Sequence, residues 1–294
     1  MKLLVIGVSS YDTIIDVEHL PKMNKDLTIW PKNVHYSIGG TGAGKALALS
    51  TLPVSTTLAT DLGDDEYKDK ILDYLDKSKL NIIRLKADVS TTHTNIMHDN
   101  GKRISIFTSS PKMVEYKDSL EKEIMNSDLV FLNINDYCRQ YIPLIKKYNK
   151  LCVVDIHDYI DGSSYHQEFI DCADILFVSH VHIGHHEDFL RRMIKNKSFV
   201  VITKAEEGSI AIDNNNKIYY QLAYKSLPFV DSNGAGDSFS VAFVYYYFKT
   251  KNTVSSLKFA SVMSAYTCAS KDIYNKDVSY ETIEKVLDEE SFLP

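Results

Sequence analysis

The sequence predicts an α/β fold: a doubly wound, mostly parallel sheet with a small antiparallel appendage. Three observations carry that expectation. Short apolar runs recur at 129–132, 151–156, 175–178 and 199–203, with helical pattern such as 141–148 between them. Strands that alternate with helices build a parallel sheet, because a parallel neighbour needs a crossover connection. Elsewhere two pairs of strand-like runs are joined by turn residues instead. Residues 92–98 and 103–108 flank Asp99-Asn100-Gly101, and residues 209–212 and 218–220 enclose Asp213-Asn214-Asn215-Asn216. Both are hairpin signals.

In chain order, Lys2–Val8 is a short apolar run suited to a central strand buried on both faces. Residues 12–36 are mixed and suit edge strands or a flap. Gly39-Gly40-Thr41-Gly42-Ala43-Gly44 then feeds a helix that begins Lys45-Ala46-Leu47-Ala48-Leu49. A glycine-rich turn entering a helix leaves backbone N–H groups free to meet an anion. Thr56–Thr60 reads as a strand. Asp64 is expected to cap a helix whose apolar face holds Tyr67, Ile71, Leu72 and Leu75. Pro143 suits a first helical turn. The chain closes on helical pattern near 235–249, 254–271 and 279–288.

The 294 residues show no internal repeat and no linker, so one domain over 1–294 is expected. A hydrophobic content of 44% with 24% charged residues is ordinary globular composition. A net charge of -6 argues against nucleic acid or an anionic membrane as partner, since neither attracts the chain as a whole. No apolar run reaches the ~18 residues of a membrane span. Four cysteines without a C-x-x-C pair, and no export signal, suggest reduced thiols in a cytoplasm.

Chemistry concentrates in Asp231-Ser232-Asn233-Gly234-Ala235-Gly236-Asp237-Ser238-Phe239, ahead of a long apolar helix. Small residues let the backbone approach a ligand, and the helix N-terminus favours a phosphate. A carboxylate there repels a phosphate unless it has a task, and taking a proton from a hydroxyl nucleophile is one. The plainer reading is a glycine turn with Asp237 as a helix cap.

Residues 231–237 resemble the second signature of the PfkB or ribokinase-like kinases, D-T-x-G-A-G-D. Gly7 and Asp12, Gly39-Gly40, Gly63-Asp64-Asp65, Asp155, and Thr203 with Gly208 resemble further family positions in the same order. The resemblance implies a Rossmann-like domain with a small β-lid drawn from parts of 12–36 and 90–108. It implies an ATP-dependent carbohydrate kinase acting on a hydroxymethyl group, with ATP and Mg²⁺. In it Asp237 is the base, and the backbone of Gly234, Ala235 and Gly236 is the anion hole. Asp12, Gly39, Gly40, Thr41, Gly44 and Asp155 face the substrate, and Thr203, Gly208, Asn233, Gly234 and Gly236 face the nucleotide. Asp231 helps hold a monovalent cation, K⁺, in members that use one. Exposed lid edges allow pairing into a homodimer.

The pattern is broken in four places. Gly44 stands where the family has a substrate-binding Asn. Ser179 and His182 stand at N-x-x-E, Ala205 at the middle Gly of T-x-G-x-x-G, and Lys68 where a Gly often follows G-x-D. Members similar to fructosamine kinases also lack N-x-x-E. Three other motifs compete. Gly39–Lys45 nearly matches a P-loop, but Ala46 lacks the hydroxyl that binds Mg²⁺. His180, His182, His185 and His186 suggest a metal if a helix starts near Ile183, against a solvated loop. Tyr245-Tyr246-Tyr247-Phe248 spreads around a helix and reads as packing. Two classes of function remain open: a kinase for a sugar or nucleoside, or a non-catalytic ligand-binding protein that keeps the fold.

Overall fold

The computed structural model describes residues 1–21, 28–98, 103–112 and 120–289. β1 (Lys2–Ile6) lies within a nine-stranded sheet. Leu3 and Val5 enter one core layer and Leu4 and Ile6 the other. That two-sided burial is why the run is continuously apolar. β2 (Ser10–Val17) and β3 (Asn33–Gly39) leave the main sheet as an antiparallel pair. α1 (Thr41–Ser50) brings the chain back to β4 (Ser55–Leu62), parallel to β1. α2 (Glu66–Leu75) and β5 (Leu80–Lys86) extend the sheet to that edge. β6 (Thr91–His98) and β7 (Arg103–Ser109) then join β2 in a second, four-stranded sheet of order β3-β2-β6-β7. The predicted turn residues Asp99-Asn100-Gly101 lie outside the described residues.

α3 (Glu121–Asn126) leads into β8 (Leu129–Leu132), on the opposite side of β1 from β4. α4 (Ile142–Lys147), β9 (Leu151–Asp155), α5 (Gln167–Cys172), β10 (Ile175–Ser179), α6 (His186–Met193) and β11 (Phe199–Thr203) step outward from there, each strand parallel to the last. β12 (Ser209–Asp213) and β13 (Ile218–Gln221) close that edge antiparallel, as the second hairpin signal predicts. α7 (Ala235–Thr250), α8 (Thr253–Cys268) and α9 (Tyr280–Glu289) complete the chain. The main sheet has the order β13-β12-β11-β10-β9-β8-β1-β4-β5.

Helices cover both faces. α1, α2, α7, α8 and α9 pack into one hydrophobic layer, and α3 to α6 into the other. This is the doubly wound α/β arrangement expected from the strand rhythm. The order reverses between β1 and β8, and in such sheets the crevice at the carboxyl ends of the strands opens at that reversal. Tyr245 and Tyr246 are buried in the α7 layer, which is packing rather than a stacking platform. No helix among the described residues is long and apolar enough to cross a membrane.

One local expectation needs correction, and the condition for a His182–His186 metal pair is not met. Asp65, not Asp64, caps α2: its carboxylate accepts from Lys68 N–H at 3.1 Å, while Asp64 pairs with Arg84 at 2.6 Å. α6 starts at His186 rather than near Ile183, so His182 and His186 are not one helical turn apart.

Candidate active site

The carboxyl end of β1 is shaped by close backbone approach. A Cβ on Gly42 would sit 2.4 Å from Gly7 C, and one on Gly7 would sit 2.5 Å from the Asn133 side chain. Gly40 holds φ +90, a left-handed conformation that glycine alone adopts cheaply. The first turn of α1 is thereby pressed onto the strand. Gly42 and Ala43 donate their N–H groups to Val8 C=O at 3.0 and 3.2 Å. Those donors are spent inside the protein, so this turn is not the open anion cradle its glycines suggest.

The turn into α7 is built differently. Gly234 has φ +75, and a Cβ there would lie 1.9 Å from Ile273 O, so no side chain fits. Asp231 accepts from Asn233 N–H at 3.0 Å, and Ala235 N–H donates to Ser232 C=O at 3.2 Å. A Cβ on Gly236 would meet nothing within 4 Å. The Cβ side of Gly236 therefore faces open space at the start of α7, where the first N–H groups of a helix have no intrahelical acceptor.

Asp237 is the third residue of α7 and is 9% exposed. Its Oδ1 accepts a hydrogen bond from the Lys45 ammonium. Lys45, on α1 and 2% exposed, also lies 3.5 Å from Asp155 Oδ2 at the end of β9. Asp155 Oδ1 in turn accepts from His157 N–H at 3.0 Å, and the His157 ring is 3.6 Å away. Burial pushes the Asp237 carboxyl up, and Lys45 and His157 offset only part of that rise. Burial also opposes the charge on Asp155, but His157 and Lys45 outweigh it and hold that carboxyl below its ordinary value. For Lys45, burial lowers the ammonium, yet Asp237 and Asp155 together raise it above the ordinary lysine value.

The four-stranded sheet brings a second polar group. Asp12 on β2 accepts from Ser10 Oγ at 2.7 Å and from Asn95 Nδ2 at 3.1 Å, with His93 Nδ1 at 3.0 Å. His93 Nε2 is buried and has no hydrogen-bond partner among the described residues. A Cβ on Gly39 would sit 2.2 Å from Asp12 Oδ2, so this glycine makes room for the carboxylate. Arg103, opening β7, donates to Asn233 Oδ1 at 2.9 Å and ties this sheet to the α7 turn.

Thr203 and Gly208 stand apart, at the end of β11, two strands beyond Asp155. Lys204 N–H closes this loop onto Gly208 C=O at 2.7 Å. Ala205 takes a left-handed φ of 47, a region that favours glycine. Thr203 C=O lies 3.2 Å from His180 Nδ1. Ser179 ends β10 and His182 ends the short turn after it.

The structure thus gathers Gly44, Asp155 and Asp237 around one buried ammonium, Asp12 with Gly39, and Asp231 to Gly236 in one turn. A Cβ on Gly44 would lie 2.7 Å from Asp237 Oδ2. Thr41 meets the site through its hydroxyl, which accepts from Asn133 Nδ2. Sequence reasoning missed Lys45, Asn133, His93 and Asn95. Lys45 was visible only as a P-loop lysine, and it points to carboxylates instead. Asn133 had a signal: it directly follows the strand that flanks the sheet's reversal. His93 and Asn95 had none, since their neighbour Asp12 is about eighty residues away in sequence.

Comparison with known proteins places these residues in context. A family described as "pfkB family carbohydrate kinase" matches residues 1–278. A ribokinase of Dictyostelium discoideum is 25% identical over 82% of this chain and 86% of its own length. An acarbose 7(IV)-phosphotransferase of Actinoplanes sp. is 24% identical over 90% of this chain and 91% of its own. A solved microbiome-derived acarbose kinase superposes with a TM-score of 0.86 at 24% identity, covering 98% of both chains.

Proposed function

The chain belongs to the pfkB family of carbohydrate kinases, and from that premise we propose that it moves the γ-phosphoryl group of ATP to a hydroxymethyl group of a sugar or sugar derivative. The observation that carries this reading is the placement of Asp237. It is a buried carboxylate in the first turn of α7, directly after a glycine turn whose outer side is open. A carboxylate beside a phosphate site is unfavourable unless it takes part in the reaction.

In this reading Asp237 accepts the hydroxyl proton as the substrate oxygen attacks the γ-phosphorus. The bond to the β–γ bridging oxygen breaks, and ADP leaves. Backbone N–H groups of Gly234 and Gly236 and the dipole of α7 stabilise the charge that develops, whereas Ala235 N–H is engaged by Ser232 C=O. The nucleotide runs from this turn, past Asn233, toward Thr203 and Gly208. Asp12, His93 and Asn95, with the Gly39-Gly40-Thr41 backbone, hold substrate hydroxyls. The four-stranded sheet acts as a lid, and the Arg103–Asn233 bond supports its docking on the α7 turn. A closed lid excludes water as a competing acceptor.

ATP enters such reactions with Mg²⁺. Ser179 and His182 offer a hydroxyl and an imidazole where the family has an amide and a carboxylate, a poor donor set for a hard cation. No step is therefore routed through a metal held there. Asp231 spends one carboxylate oxygen on Asn233 N–H, and no step needs a monovalent cation beside it.

The test is ADP release from Mg-ATP over a panel of sugars, sugar derivatives and nucleosides, run beside Asp237→Asn. The names of the relatives put ribose and acarbose at the head of the panel. Asp237→Asn keeps the shape and removes the base, so turnover should fall ~10²–10⁴-fold. Near-wild-type turnover in that variant would sink the assignment.

A further inference from the structure

The mechanism above leaves Lys45 without a role, although few residues in the site are held more tightly. Its ammonium is buried, hydrogen-bonded to Asp237 Oδ1 and 3.5 Å from Asp155 Oδ2. Three elements meet at that one atom: α1 through Lys45, the end of β9 through Asp155, and α7 through Asp237. An isolated ammonium is costly to bury, and so are two carboxylates sharing one site. Together the three groups offset one another, and loss of any one leaves a buried charge uncompensated. Gly44 belongs to the same arrangement. The 2.7 Å between its absent Cβ and Asp237 Oδ2 means that a side chain there would push the carboxylate aside.

We propose that Lys45 is a positioning residue for phosphoryl transfer: it binds Oδ1 of Asp237, ties that carboxylate to Asp155, and leaves Oδ2 ionised and aimed at the substrate hydroxyl. The proposal rests on Asp237 being the base. Without the ammonium, two buried carboxylates compete for a proton, and the base sits protonated at the pH where it should accept one. The charged groups acting on Asp237 are Lys45 from α1, and Asp155 and His157 from the end of β9 and the residues after it. Burial raises Asp237, and Lys45 is the largest of the groups that lower it. Removing Lys45 therefore moves proton loss from the base to higher pH.

The experiment is the pH profile of kcat/KM for Lys45→Gln, with the substrate found by the panel above. The amide keeps a hydrogen-bond donor and removes the charge. The expected result is an acid limb displaced toward higher pH, with the loss greatest at the acid end and recovery toward wild type in alkaline buffer. The profile is repeated in a His157→Gln background, so that titration of His157 cannot supply the shift. If Lys45→Gln melts below the assay temperature, Lys45→Met, which removes the charge without burying an unpaired amide, supplies the profile instead.

A loss equal at all pH values, or an acid limb that stays where the wild type has it, overturns the role of Lys45. If Asp237→Asn is inactive while the limb stays put, the kinase reading stands and only this proposal falls. If the wild type releases no ADP with any substrate, or Asp237→Asn keeps its turnover, the reading of the site falls and Lys45 falls with it.

Discussion

Two glycine-rich turns open helices in this protein, and in sequence they look alike. Gly39–Gly44 leads into α1, and Gly234–Gly236 leads into α7. In the structure they do opposite things. The first uses its missing side chains to press a helix against a strand: Gly42 meets the backbone of Gly7, and Val8 C=O takes two of the N–H groups that a ligand would need. The second packs only Gly234 against the protein and leaves Gly236 facing open space. Glycine content alone therefore does not mark a ligand site. What separates the two turns is where an added Cβ would go: into backbone at Gly42 of the first, into open space at Gly236 of the second. The turns also carry opposite charges, Lys45 and Asp237, and these meet as an ion pair.

The sharpest way to break the comparison is to add one methyl group to each turn. Gly42→Ala places a Cβ 2.4 Å from Gly7 C, and neither backbone can yield without moving α1 off β1. Overpacking of this kind should cost about 3 kcal/mol or more, read as a large fall in melting temperature. Gly236→Ala meets no atom of the protein and should melt within about 1 kcal/mol of wild type. Its methyl group instead occupies the approach to the α7 turn, so ATP turnover should drop on the order of tenfold or more. Equal melting of the two variants, or full activity in Gly236→Ala, would erase the distinction between a packing turn and a binding turn.

A smaller effect is expected at the contact between the turns. Gly44→Ala points its methyl at Asp237 Oδ2, which is the end of a side chain rather than backbone. The carboxylate can turn away, so the stability loss should stay near 1 kcal/mol. With Asp237 as the proposed base, turning it displaces the proton acceptor, and kcat should fall about tenfold while KM for ATP holds. A raised KM with kcat unchanged would mean that Gly44 shapes binding and not the seat of the base.

How much of this was legible in the sequence depended on range. The strand–helix rhythm, both hairpins and the three closing helices are local patterns, and the sequence shows them because burial on one or both faces sets residue type directly. The signature at 231–237 was legible because its glycines answer to local backbone geometry. β5, α3 and α5 went unread: β5 is only partly buried and lacks a clean apolar run, and the two helices have six residues each, too short to show a period. The partners of Asp12 and Asp237 were out of reach for another reason. Lys45 is 192 residues from Asp237, and His93 is 81 from Asp12. Such pairs exist only once the sheet order has brought β2 beside β6 and α1 beside α7.

The third turn of the candidate site, after β11, extends the comparison to its smallest effect. There Ala205 holds a left-handed φ of 47, a region that favours glycine. A Cβ in the left-handed region is strained by about 1 kcal/mol. Ala205→Gly relieves that strain but adds freedom to the unfolded chain, which returns part of the gain. The net expectation is a rise in stability of about 0.5 kcal/mol, measured as a small upward shift of the denaturant midpoint with an unchanged slope. The sign is what matters. At Gly234 the protein's own backbone forbids a side chain, whereas at 205 a methyl group is carried at a tolerable cost. A fall in the midpoint for Ala205→Gly would mean that the methyl group contributes packing worth more than the strain, making this turn closer in kind to the one that opens α1.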